Sequence, residues 1–177
     1  MGKKHHKKKK HQRKAHAVHD TSELGHIAGA IGRGIIAGLA GTAAMTVAQM
    51  IEMKITGRKA SDTPYKAVSK VFGIEAKSDK DKEKLSNIIH WVYGSSWGIP
   101  RGLLAEFGAN GAAGTGAHFA SVWGTEVVML PSLGVAEPIT KWGPKAIGQD
   151  MLFHAIYAIT VGLVADALTS HSAVKLK

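Results

Sequence analysis

The chain has 177 residues, 45% of them hydrophobic, with a formal net charge of +10 and no cysteine. This length suits one compact domain, and the lack of cysteine excludes disulfides, thiolate catalysis and Cys-bound metals or clusters. The mean hydropathy of −0.02 hides an uneven distribution, because residues 1–20 contain eight Lys or Arg and only one acid.

The N-terminal tail, residues 1–23, is dense in positive charge and almost free of large apolar side chains, so we predict that it is disordered. Its expected partner is an anionic lipid surface, where each base contributes about 1 kcal/mol. Nucleic acid would attract the same charge without sequence preference, and a third alternative is a plain topology determinant. The candidate contacts are Lys7, Lys8, Lys9, Lys10, Arg13 and Lys14, and the five tail histidines offer weak divalent-metal binding.

Four charge-depleted segments follow, within a helical domain that we predict over residues 24–171, before a short tail at 172–177. The absence of useful strand alternation predicts an all-α fold. We expect an integral membrane bundle of about four helices, of which the first and fourth are marginal in length. The predicted spans are residues 34–52, 85–104, 112–130 and 148–168.

Glycine spacing favours lipid over water as the solvent of these helices. Gly94, Gly98 and Gly102 recur every four residues on one helix face, and Gly34 and Gly38 do the same on the first helix. In water each such glycine costs roughly 1 kcal/mol of helix stability relative to alanine, whereas in a membrane it allows two helix backbones to approach closely. A soluble bundle packed through small residues is the alternative.

The segment between the first two spans predicts a short amphipathic helix over residues 64–73. Asp62 and its neighbours provide a capping side chain, Pro64 suits the first turn, and Gly73 ends the helix. A solvated charge run follows at 77–84. Because the tail and the 54–84 segment are both basic, the positive-inside rule cannot satisfy both, and we favour four spans with both termini cytoplasmic.

Ionisable and polar side chains within the apolar segments are the candidate functional residues, since such groups are usually paired or functional in a membrane. One stripe runs from His90 to Arg101, and another shared face holds Asp150 and His154. Arg101 should pair with Glu126, Asp150 or Asp166. The predicted buried polar cluster is His90, Tyr93, Arg101, His118, Glu126, Asp150, His154, Tyr157 and Asp166.

Three interpretations of this cluster remain open. Either it holds the helices together, or it binds or passes a proton, an ion or a small solute, or it binds a metal through Asp150, His154, His118 and His90. We find no P-loop, no nucleophile elbow and no His-Glu-x-x-His motif, so we predict no catalytic residue and no cofactor.

The runs VVMLPSLGVAEPITKWGP (127–144) and HAIYAITVGLVAD (154–166) resemble the small YagU-type inner-membrane proteins of bacteria. The aromatic-rich HWVYGSSWG (90–98) is similar to segments of bacterial four-helix membrane proteins. The resemblance implies an integral membrane helical fold in the inner membrane. It implies no catalytic residues and does not cover the basic tail.

The leading hypothesis is therefore a non-enzymatic inner-membrane protein whose internal polar cluster binds or passes a small solute or proton, or an accessory subunit of a membrane complex. Homo-oligomers are compatible with its glycine faces. The alternatives are a membrane metal- or cofactor-binding enzyme, and a soluble helical protein that binds nucleic acid through its tail.

Overall fold

The computed structural model describes the backbone of residues 2–174 and the side chains of residues 24–170. Five α-helices follow in order: α1 Gly2–Thr56, α2 Thr63–Phe72, α3 Asp79–Glu106, α4 Gly111–Ser132 and α5 Pro144–Val174, with one 3₁₀ turn at Ile139–Lys141. No strand occurs in this part of the chain, which confirms the all-α prediction. The side chains of residues 1–23 and 171–177 lie outside the described residues. The disorder of the N-terminal tail and the short tail at 172–177 therefore stay predictions.

The four long helices form an up-down-up-down bundle. α1 packs mainly on α3 and α5, and α4 packs mainly on α5. Thr46 contacts His90 near one end of the α1–α3 pair and His26 contacts Glu106 near the other, so these helices are antiparallel. We call the end with His26 and the α3–α4 turn the terminal end, and the end with Thr46 and the other two connections the distal end. The described chain both begins and ends at the terminal end.

The predicted close approach of helix backbones occurs between α1 and α3, where the glycine faces of the two helices meet. A Cβ added to Gly98 would collide with the main chain of Gly34 and Gly38, and one on Gly102 would collide with the main chain of Ala30 and Gly34. The two backbones are therefore in direct contact. Only residues without a side chain permit this approach, so the regular glycine spacing defines which helix is the partner of α1.

The interior of the bundle combines small apolar side chains with polar ones, and many large apolar side chains lie on its surface. Arg101 is 0% exposed, whereas Ile36, Val47 and Leu163 are 55%, 56% and 69% exposed. The small apolar core of the bundle consists of Ala37, Val122, Tyr157, Ala158, Val161 and Ala165. Large apolar side chains that remain on the surface of a folded bundle indicate a non-aqueous environment or a partner surface.

Two helical segments are long and apolar enough to cross a membrane, Leu24–Thr56 and Pro144–Ser170. They contain the first and fourth predicted spans. Of their most apolar windows only 28% and 39% of residues are buried inside the bundle. α3 and α4 contain the other two predicted spans, 85–104 and 112–130; among the described residues both helices are long enough to cross a membrane but are not apolar enough.

Local signals set the ends of α2 and α3. Pro64 lies in the first turn of α2, and Gly73 ends it in a left-handed conformation with a φ of 66°, as predicted. The helix starts within the predicted run; the Asp62 carboxylate makes no capping hydrogen bond and binds lysine ammonium groups instead, while the Ser61 hydroxyl accepts from the Thr63 amide at 3.2 Å. α3 begins before its predicted span, since Ser78 accepts a hydrogen bond from the Asp81 amide and makes the charged run helical.

Candidate functional site

The bundle separates the predicted polar cluster into two groups. The distal group contains His90, Glu126, Asp150 and His154, and the terminal group contains Arg101, His118 and Asp166. Eleven residues of α3 separate His90 from Arg101, which corresponds to about 16 Å along the helix axis. The two groups therefore need separate chemical descriptions.

His154 is the centre of the distal group. Its ring is on α5 and only 8% of the residue is exposed. The Nε2 atom lies 2.6 Å from Oε2 of Glu126 on α4. On the other side of the ring, Nδ1 lies 2.9 Å from the carbonyl oxygen of Asp150 and 3.7 Å from its carboxylate. The imidazole is thus held between two acidic residues.

The orientation of this ring follows from the helix that bears it. Asp150 and His154 are four residues apart, so they lie on one face of α5, and the carbonyl of Asp150 can accept a hydrogen bond from Nδ1. A carbonyl oxygen only accepts, so Nδ1 is the donor and the lone pair of the neutral ring is on Nε2. That lone pair faces the carboxylate of Glu126, and a positive charge between the two acceptors would stabilise the arrangement.

Two residues that sequence analysis did not assign to the cluster support the distal group. The Trp123 Nε1–H donates to Oδ2 of Asp150 at 2.8 Å, and the Thr46 hydroxyl lies 3.2 Å from Nε2 of His90. Trp123 precedes Glu126 by three residues and so shares its helix face, which is a signal visible in the sequence. Thr46 has no such signal, because it depends on the α1–α3 register.

The distal group has an excess of negative charge. Among residues 24–170, no Lys or Arg forms an ion pair with Glu126 or Asp150. The side chains of these two residues are 25% and 26% exposed and that of His154 is 10% exposed, so a small ion can reach the group. One imidazole and two carboxylates form a site whose charge suits a cation.

The terminal group is built on a buried ion pair. Arg101 donates from Nη2 to Oδ1 of Asp166 at 2.6 Å, and Asp166 is one of the three partners expected for it. The second carboxylate oxygen accepts from the Gly111 amide at 2.9 Å, which joins the pair to the start of α4. The Arg101 side chain is 0% exposed. This group therefore connects α3, α4 and α5 at the terminal end.

His118, of the terminal group, packs against Tyr157 of α5. His118 is 1% exposed, and its ring packs on that of Tyr157 with centroids 5.8 Å apart. The Tyr157 hydroxyl donates to the Gly94 carbonyl at 2.5 Å. Within the described side chains, both His118 nitrogens and the Nε and Nη1 atoms of Arg101 have no hydrogen-bond partner.

Two predicted placements are wrong. Tyr93 is 42% exposed and lies outside the cluster, because at about 100° per residue it points roughly 135° away from the middle of the buried face of α3, which contains Gly94 and Gly98. The metal set that joined His118 to Asp150 does not assemble. Eight residues of α4, about 12 Å, separate His118 from Glu126, and Glu126 occupies the place predicted for His118.

A second ionic contact at the terminal end, between α1 and α3, was not predicted from the sequence. Glu106, the last residue of α3, accepts from Arg33 of α1 through one carboxylate oxygen and lies 3.0 Å from Nδ1 of His26 through the other. Arg33 directly precedes the first predicted span, 34–52, and nothing in the local sequence indicates Glu106 as its partner.

No family model, curated protein or solved structure matches this chain. The interpretation of the two groups therefore depends on their own geometry and charge.

Proposed function

We propose that this protein is an integral membrane helical bundle, without enzymatic activity, that binds a small cation in the distal group. The proposal rests on one observation: His154 lies between the carboxylates of Glu126 and Asp150 in a bundle whose outer surface is apolar. Membrane interiors tolerate such ionisable groups when they face the bundle interior and serve a ligand or a pathway.

The large apolar side chains on the surface of the bundle support the membrane part of the proposal. A soluble bundle of this size would cover its surface with charged side chains, but α1 and α5 expose Ile, Leu, Val and Met along their length. In our proposal these two helices span the bilayer, and α3 and α4 complete a four-span bundle. The resemblance to YagU-type inner-membrane proteins agrees with this arrangement.

The orientation follows from the antiparallel order of the helices. The basic tail and the C-terminal end of α5 lie on the same side of a four-span bundle, and we propose the cytoplasmic side for both because of the eight bases of the tail. There the tail contacts anionic headgroups. The distal group is then close to the opposite face of the membrane, where Glu126 and Asp150 are partly exposed.

The charge of the distal group supports the cation part of the proposal. The two carboxylates repel each other in a medium of low dielectric constant; a protonated His154 balances at most one of their charges, and no lysine or arginine of the described residues neutralises the other. A bound cation removes that repulsion. The terminal group differs, since Arg101 and Asp166 already neutralise each other.

Membrane fractionation tests the first part. We expect the full-length protein to remain in the membrane pellet after an alkaline carbonate wash. Recovery in the soluble fraction would overturn the membrane assignment, whatever the distal group binds.

A salt screen tests the second part. Ligands that bind only the native state stabilise it by about 2.7 kcal/mol at a hundred times their dissociation constant. The purified protein should be stabilised by at least one chloride salt among those of Na⁺, K⁺, Mg²⁺, Ca²⁺, Mn²⁺ and Zn²⁺, and His154→Gln should lose that effect. The matched control is His26→Gln, a histidine that is more than half exposed at the terminal end. Equal stabilisation of all three proteins would contradict cation binding by the distal group.

A further inference from the structure

The distal group has the donor set of a transition-metal site. One atom each from Glu126, Asp150 and His154 can be chosen so that the three lie within 4.8 Å of one another. They comprise one imidazole nitrogen and two carboxylate oxygens, supplied by two helices that are packed together. Three protein ligands leave coordination positions free, as in metal sites that exchange water or a substrate.

The distances require only small adjustments. A metal with bonds of about 2.1 Å keeps its ligand atoms about 3 to 4.2 Å apart, depending on the coordination geometry. Ligand atoms that lie as much as 4.8 Å apart have to approach each other by about 0.6 Å. Nε2 of His154 and Oε2 of Glu126, now 2.6 Å apart, have to separate by about 0.4 Å. The Glu126 and Asp150 carboxylates have to shift by these amounts when the ion binds.

The surroundings orient the ligands as a metal site needs. The Nδ1 atom of His154 is engaged by the Asp150 carbonyl, which directs Nε2 toward Glu126. The Asp150 carboxylate is in turn fixed by the indole of Trp123 at 2.8 Å. Outer hydrogen bonds of this kind hold metal ligands in place and select the nitrogen that coordinates.

The chemistry of the donors selects the class of ion. Oxygen-only ligands in sixfold or higher coordination suit Ca²⁺ and Mg²⁺, whereas imidazole suits Zn²⁺, Fe²⁺ and Co²⁺, and carboxylate suits Mn²⁺. A monovalent ion would leave one of the two carboxylates uncompensated, while a divalent ion neutralises both. The chain has no cysteine, which disfavours the soft ion Cu⁺.

From these contacts we propose that Glu126, Asp150 and Nε2 of His154 bind one divalent first-row transition-metal ion between α4 and α5. This inference rests on the proposed cation-binding function and names the class of cation. His90, on α3 and hydrogen-bonded to Thr46, faces the same region and is not one of the three ligands.

The test uses the full-length chain in detergent, with the tail histidines His5, His6, His11, His16 and His19 changed to Gln so that they do not bind the probe. Isothermal titration with Zn²⁺ and Mn²⁺, and visible absorption with Co²⁺, measure stoichiometry and affinity. We expect one ion per chain and a Co²⁺ spectrum with nitrogen and oxygen ligands. Glu126→Gln or His154→Gln on this background should weaken binding at least a hundredfold, whereas His26→Gln should leave it unchanged.

Each result has a definite meaning. Failure of the tail variant to bind Mn²⁺, Co²⁺ or Zn²⁺, or undiminished binding after both Glu126→Gln and His154→Gln, overturns the metal assignment. Stabilisation by Na⁺, K⁺ or Ca²⁺ alone would also overturn it while leaving the proposed function intact. Because Glu126 is partly exposed, Glu126→Gln gives an answer even if His154→Gln fails to fold, and circular dichroism identifies that failure.

Discussion

Replacement of Asp166 by Asn isolates the energetic role of the buried ion pair. The substitution keeps the size of the side chain, and its carbonyl oxygen can still accept from the Gly111 amide, but the negative charge beside Arg101 is lost. Removing one partner of a buried pair typically costs 3–5 kcal/mol, because the other charge remains buried without compensation. Arg101 is 0% exposed but Asp166 is 27% exposed, so we expect the lower end, about 3 kcal/mol.

A double-mutant cycle measures this effect in the detergent-solubilised protein by titration with SDS. The unfolding equilibrium of Asp166→Asn should shift roughly a hundredfold. Arg101→Met combined with Asp166→Asn should recover most of that loss, since the unpaired charge is removed too. The matched control is Glu137→Gln, which breaks a Lys141–Glu137 pair whose side chains are 67% and 66% exposed and should change nothing measurable.

A loss below about 1 kcal/mol for Asp166→Asn would refute the reasoning, because water or another group would then have to compensate Arg101. A double mutant that is less stable than Asp166→Asn would also contradict it.

Three further predictions follow from the described contacts. Gly98→Ala should destabilise the bundle, because its new Cβ meets the main chain of α1. Gly116→Ala, which has open space around it, should be neutral or stabilise the bundle by up to about 1 kcal/mol. The same SDS titration compares the two variants, and equal effects would contradict the backbone contact. Tyr157→Phe should lose about 1 kcal/mol with the hydrogen bond to the Gly94 carbonyl, and an unchanged unfolding curve would argue against that bond. The hydrogen bond from Lys66 lowers the pKa of Asp62, so this contact stabilises α2 at pH values above the ordinary Asp pKa. The stabilisation is lost as the pH falls through the lowered pKa. NMR chemical shifts of α2 between pH 5 and about 2 should show this loss in the wild type but not in Asp62→Asn.

The parts of the fold that depend on local or periodic signals were predictable. Pro64 and Gly73 mark the ends of α2, and the four-residue glycine spacing predicts a close helix contact. The partner of Arg101 was narrowed to three acids by a general rule, that a buried charge is paired. To decide which of the three acids pairs with Arg101, the relative rotation of α3 and α5 has to be known. The sequence of one helix alone does not determine that rotation.

The division of the polar cluster could not be predicted for the same reason. The shared face of α3 placed His90 with Arg101, and the preference of divalent metals for imidazole and carboxylate grouped His118 with Asp150; neither argument gives the position of a residue along the bundle axis. His118 and Glu126 are both on α4, and their axial separation puts them in different groups once α5 is antiparallel to α4. The error with Tyr93 came from centring the buried stripe on polar residues, whereas the glycines determine the buried face.

The contact between Gly34 and Gly98 also has a consequence for biosynthesis. These residues are 64 positions apart, so at translation rates of about 5–20 residues per second α1 leaves the ribosome roughly 3–13 s before its partner helix exists. During this interval its glycine face has no helix to pack against. The insertion machinery or neighbouring lipids must cover that face until α3 arrives, so an early truncation after α2 should yield a chain that is readily degraded.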